Sequence, residues 1–183
     1  GRVDVFGPYF TFANILNAIW IFTWHYLQLI PSLVIMLLLL ISLILLYLKI
    51  TSYENDLSFN MLIKFPISIY LGWVTIATVA NVTAVLVTYS WNGFGLTPMI
   101  WTIIVIGVAT IINMVVAISR LDIWFPLVGM WSLFGIWQKR GLELNNVNVM
   151  IQYSALIAIV LIALSIVITL IIKAKKVIRE ETL

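Results

Sequence analysis

Charge is absent from this chain between Asp4 and Lys49, between Lys64 and Arg120, between Asp122 and Lys139, and between Glu143 and Lys173. Those gaps are filled by Leu, Ile, Val, Ala and aromatic residues. A helix that crosses a bilayer needs about 20 apolar residues. The first two gaps are each long enough for two such helices, the last for one, and the third for a short one. The pattern predicts helices over 8–27, 31–50, 62–89, 98–119, 123–138 and 148–172. Pro31 and Pro98 suit helix starts, where a missing N–H costs nothing. Asn92-Gly93 favours a turn with positive φ. Backbone groups in lipid must pair within their own segment, so the expected fold is all-α: a polytopic transmembrane helical bundle of about six spans.

Polar residues inside the spans are not scattered. At 100° per residue, Asn14, Asn17, Trp24, His25 and Gln28 fall within an arc of about 100° on the first helix. On the third, Pro66, Tyr70, Trp73, Ala77, Ala80, Asn81 and Ala84 share a face of similar width. Polar groups at membrane depth are expensive and turn toward a bundle interior or a cavity. Both arcs are therefore expected to point inward. Small residues there allow close helix packing, and equally leave room for a ligand. The residues alone leave those two readings open. On the fourth span Thr102, Ala109, Asn113 and Ala117 share a face, and Asn113 reads as inter-helix glue.

Composition narrows the class. Of 183 residues, 63% are hydrophobic and 9% charged, too few charges for a water-exposed surface. The net charge of +3 forms no basic face on a soluble segment, so nucleic acid is not an expected partner; the bilayer is. With no cysteine, disulfides, thiolate metal sites and a cysteine nucleophile are excluded. The first ten residues do not have the arrangement of a signal peptide. With six spans the two termini share a side. Arg2, Lys49, Lys64, Arg120, Lys173, Lys175, Lys176 and Arg179 lie on that side, and Lys139 and Arg140 on the other. Both termini are expected to be cytoplasmic. No repeat or linker divides the chain, so 1–183 reads as a single membrane domain.

Catalytic parts are missing from the spans. No Asp or Glu lies within them, so paired-carboxylate chemistry and proton relays lack their groups, and the chain reads as a non-enzyme. His25, the single histidine, is a weak candidate for a metal ligand and reads more simply as an interfacial residue. Arg120 and Asp122 read as interface residues at a span boundary. The basic segment 173–183 continues the last helix and serves as a topology anchor able to attract anionic lipid.

The stretch "YLGWVTIATVAN", residues 70–81, resembles the fourth-helix signature of the translocator protein/tryptophan-rich sensory protein (TspO/MBR) family. "ANILNAIWIFTW" resembles that family's second helix, with Trp20 three residues after Asn17. "PISIYLGW" and "WNGFG" are similar to patterns in a longer bacterial branch, and the eight tryptophans agree. The resemblance is best over about 10–95, so 8–89 would form TspO-like core helices and 98–172 additional ones. Pro66 stands four residues before Tyr70, where the family's proline immediately precedes its tyrosine. The family's Pro/Trp-rich first helix has no counterpart, so a fragment or a completing partner chain is implied.

Members of the family bind porphyrins in pockets of aromatic and amide side chains. The resemblance implies a receptor or sensor in a bacterial plasma membrane. Its ligand would be a tetrapyrrole such as porphyrin or haem, or a similar flat apolar molecule. The implied site is Asn17, Trp20, Tyr70, Trp73, Ala77 and Asn81; the helical projection adds Asn14, Trp24 and His25. The competing reading is a non-catalytic accessory subunit of a larger membrane complex, or a homo-oligomer, in which the same faces are glue between chains. A small-solute transporter is a weaker third, for want of an ion pathway.

Overall fold

A computed structural model describes residues 2–52, 59–142 and 146–181. The six expected segments are six α-helices: α1 (Arg2–His25), α2 (Leu29–Thr51), α3 (Phe65–Thr88), α4 (Pro98–Ser119), α5 (Trp124–Gly141) and α6 (Asn146–Glu181). A π-helical turn, Asn60–Lys64, leads into α3 and carries the chain into Pro66 near the helix start. Four stretches are long and apolar enough to cross a membrane: Leu29–Thr51, Met61–Thr88, Pro98–Ser119 and Asn146–Arg179. The chain divides into two compact units, residues 1–91 and 92–183.

In the first unit α1 and α3 both pack on α2. The reason is a single stripe on α2. Ser32, Met36, Leu39, Leu43, Leu46 and Ile50 recur at alternating spacings of four and three and are all buried. That spacing keeps side chains on one seam. Helix α1 starts earlier than expected from Pro8, because its first turns have tertiary partners. Phe6 is buried against Phe59, with ring centroids 6.1 Å apart, and the Lys49 ammonium lies 4.6 Å above the Tyr9 ring.

In the second unit α4 and α5 pack on α6, and α4 also packs on α5. Here too the central helix has a seam: Asn148, Ile151, Ala155, Ala158, Ile162, Ser165 and Thr169. Asp122 departs from the sequence expectation. It is only 1% exposed. Its carboxylate accepts from the Trp124 N–H at 2.8 Å and the Phe125 N–H at 3.5 Å, capping α5. An acid just before a helix satisfies orphan N–H donors and favours the positive end of the helix dipole, which holds it inside. Arg120, two residues away, is exposed.

Helices α1, α3 and α4 end alike. Leu27, Ser90 and Leu121 have φ of 56°, 51° and 47°. The next residue's N–H in each case bonds back five residues, to Thr23, Leu86 and Ala117. This is the Schellman closure, with non-glycine residues in the left-handed position where glycine is usual.

Candidate functional site

Asn81 is the point where the first unit's helices meet. It is 2% exposed, on α3. Its Oδ1 accepts from the Ser32 hydroxyl of α2 at 2.8 Å and from the Trp20 indole N–H of α1 at 3.4 Å. Its Nδ2 donates to the Ala77 carbonyl at 3.1 Å. One carboxamide thus ties three helices together. The Ser32 bond is short and the Trp20 bond is at the long limit for such contacts. Ser32 therefore fixes the amide, and Trp20 is the looser partner.

Trp20 continues into an aromatic pair. Its ring and that of Trp24 are 6.1 Å apart and inclined by 22°, a stacked arrangement. Trp24 is partly exposed and Trp20 half-buried. Asn17 is half-buried one turn earlier on the same strip of α1. Beside Asn81 an open groove of about 790 Å³ runs along the end of α3. It is lined by Leu27 and Leu29 from the α1–α2 turn and by Ala80, Thr83, Ala84, Val87 and Thr88. Its floor is the small-residue row of α3. None of the implied site residues lines it.

The structure brings Trp20, Trp24 and Asn81 together and leaves other expected residues apart. Trp73 is 49% exposed. Ala77 is half-buried. Tyr70 is half-buried, with a buried hydroxyl that has no hydrogen-bond partner. It stands three helical turns from Asn81, about 16 Å along the axis. Asn14, His25 and Gln28 are exposed. His25 lies edge-on to Tyr26 at 5.3 Å. Among the described residues no three His, Asp or Glu side chains gather as a metal set would.

The inward arcs therefore need correcting in phase. The buried side of α1 centres on Phe6, Ala13 and Leu16, and that of α3 on Ile67, Leu71, Val74 and Thr78. Each is turned by roughly 80–100° from the polar arc, about a quarter turn. The polar groups outside the packed face are satisfied locally. Asn14 donates to the Phe10 carbonyl, Thr23 to Ile19, Thr75 to Leu71 and Thr83 to Val79. Side chains that bond back to their own helix need no inward partner, so bulky aliphatic packing on α2 sets the rotation.

Ser32 was not among the residues the sequence singled out. Its signal was its place in register with Met36, Leu39 and Leu43 at the start of an otherwise aliphatic helix.

Helices of this length and apolarity define an integral membrane protein of the all-α class. The family model described as "TSPO-like protein" matches residues 1–168. The chain belongs to that family. The match runs past residue 95 and takes in α4, α5 and most of α6. No curated protein and no solved structure matches the chain.

Proposed function

We propose that this protein is a TspO-like membrane receptor or sensor for a flat apolar ligand of the tetrapyrrole class, held without covalent chemistry. The observation that carries the reading is the Trp20–Trp24 stack, tied through the Trp20 indole N–H to Asn81. Stacked indoles offer a flat apolar ligand broad contact and an N–H donor at its polar edge. Asn17, Trp20 and Trp24 form the α1 wall of this site. On α3, Asn81 continues the site, while Ala77, Tyr70 and Trp73 lie apart from it. Asn81 orients Trp20, and Ser32 holds Asn81. In the same reading the resemblance to the bacterial branch implies a bacterial plasma membrane, and the distribution of Lys and Arg implies that both termini are cytoplasmic.

The test is titration of the reconstituted protein with protoporphyrin IX, followed by tryptophan quenching. Saturation at one equivalent is expected. Trp24→Ala should weaken binding about tenfold or more, the loss of one aromatic contact of ~1.5 kcal/mol. Trp24 is partly exposed, so the variant should fold. Unsaturable quenching that is the same in wild type and variant would mean that porphyrin only partitions into the bilayer, and would reject the receptor reading.

The three hydrogen bonds of Asn81 favour a second reading, the accessory subunit, because an amide bonded across helices serves well as helix glue. Purification in mild detergent separates the two: a stoichiometric second polypeptide and no porphyrin binding would support the subunit.

A further inference from the structure

The turn Asn92–Leu96 contains a left-handed segment in which Gly93, Phe94 and Gly95 have φ of 62°, 52° and 79°. Glycine suits such a conformation. Phenylalanine does not, because its Cβ crowds the backbone. Yet the chain puts glycine on both sides and a bulky ring in the middle. The turn is firmly built. The Asn92 side chain accepts from the Phe94 N–H at 3.1 Å, and the Gly93 carbonyl accepts from the Trp101 indole at 2.7 Å. The Gly95 and Leu96 N–H groups bond back to Asn92 and Gly93. The result of this construction is a Phe94 ring 79% exposed.

The Trp101 ring lies beside it, with centroids 6.4 Å apart, and the rest of its surroundings follow from the chain on either side. A membrane-spanning stretch ends at Thr88 and another begins at Pro98. The turn joining them lies at the bilayer boundary, where apolar side chains such as Phe and Leu can bury themselves between headgroups and acyl chains. Leu96, in the same turn, is 41% exposed.

We propose that Phe94 is a lipid-facing anchor: the turn holds its ring in a strained conformation so that it inserts at the boundary between headgroups and acyl chains. The occupant of this surface is the bilayer itself. The anchor sets the depth of the start of α4 in the membrane.

Two measurements test it. The chain has no cysteine, so Phe94→Cys carries one NBD label. In phosphatidylcholine vesicles a shallow spin-labelled lipid should quench the label more than a deep one, and aqueous iodide should leave it nearly unquenched. Iodide quenching equal to that of free NBD-cysteine overturns the proposal. Protection from both iodide and lipid quenchers also overturns it, since protein would then cover the site. The second variant is Phe94→Asn. Asparagine tolerates left-handed backbone better than phenylalanine. A merely solvated turn would gain stability from it. The anchor requires a loss in vesicles, a fall in Tm of about 2–4 °C. An unchanged or raised Tm in vesicles overturns it.

Discussion

The two units solve one packing problem with different materials. Each is three helices with a central one, and each central helix carries a seam at alternating spacings of three and four. In α2 the seam is nearly all large and aliphatic, Met36 through Ile50, with a hydroxyl only at its start, Ser32. In α6 it mixes Ala155 and Ala158 with Asn148, Ser165 and Thr169. Large side chains keep neighbouring helices apart; small ones bring backbones together. Cross-helix polar bonding differs accordingly. In the first unit Asn81 joins three helices at one carboxamide. The second spreads such bonding along the bundle: the Thr169 hydroxyl donates to the Ala117 carbonyl at 3.0 Å, and the Arg140 guanidinium to Asn148 Oδ1 at 3.0 Å.

Close approach shows most clearly at Gly129 of α5. A Cβ there would collide with the Asn113 carboxamide of α4. Asn113 donates to its own helix, at the Ala109 carbonyl 2.8 Å away, while its Oδ1 is buried without a partner. Two buried asparagines thus differ in kind. Asn81 bonds across three helices, whereas Asn113 fills space against a glycine. The lesson is that a buried amide in a membrane bundle is not glue by default; its bonds decide.

Substitutions can break this contrast in graded steps, each read as the unfolding midpoint in detergent. The units can be followed separately in a background where the tryptophans of one are replaced by phenylalanine, since Trp20, Trp24, Trp73 and Trp91 lie in the first and Trp101, Trp124, Trp131 and Trp137 in the second. Asn81→Ala should have the largest effect, a loss of about 3 kcal/mol, since it strands the buried Ser32 hydroxyl and the Trp20 indole. Gly129→Ala should cost about 2 kcal/mol through overpacking. Asn113→Ala should cost less than about 1 kcal/mol, because the bond it loses is offset by removal of an unpaired acceptor. If Asn113→Ala costs as much as Asn81→Ala, the distinction between the two amides fails. Gly135→Ala is the opposite control: that glycine is in mid-helix with nothing near its Cβ position, and the change should add roughly 0.5–1 kcal/mol.

Much of the fold was legible in the sequence because lipid imposes it. Charges cannot lie in the hydrocarbon, so the gaps between them located the helices, including the short α5. Rotation about each helix axis was not legible. Polarity suggested one face, but threonine and asparagine can satisfy themselves on the preceding turn, so polarity did not fix the rotation. Of the candidate site, the neighbourhood of Trp20, Trp24 and Asn81 could be read, and Trp73 was expected on a face from which it turns away. The helix ends at Leu27, Ser90 and Leu121 carry no glycine to announce them. Asp122 looked like a boundary charge because a cap and an interface residue occupy the same place in a sequence.

The length of α6 has a consequence of its own. Its 36 residues extend about 54 Å, against a hydrocarbon layer of about 30 Å. To hide all of it the axis would have to lean by about 56°, beyond the 0–40° range of observed tilts. Some turns must therefore stand in water as a stiff post, and a probe fixed on Val177 would report rotation of the buried shaft directly, with no hinge to absorb it.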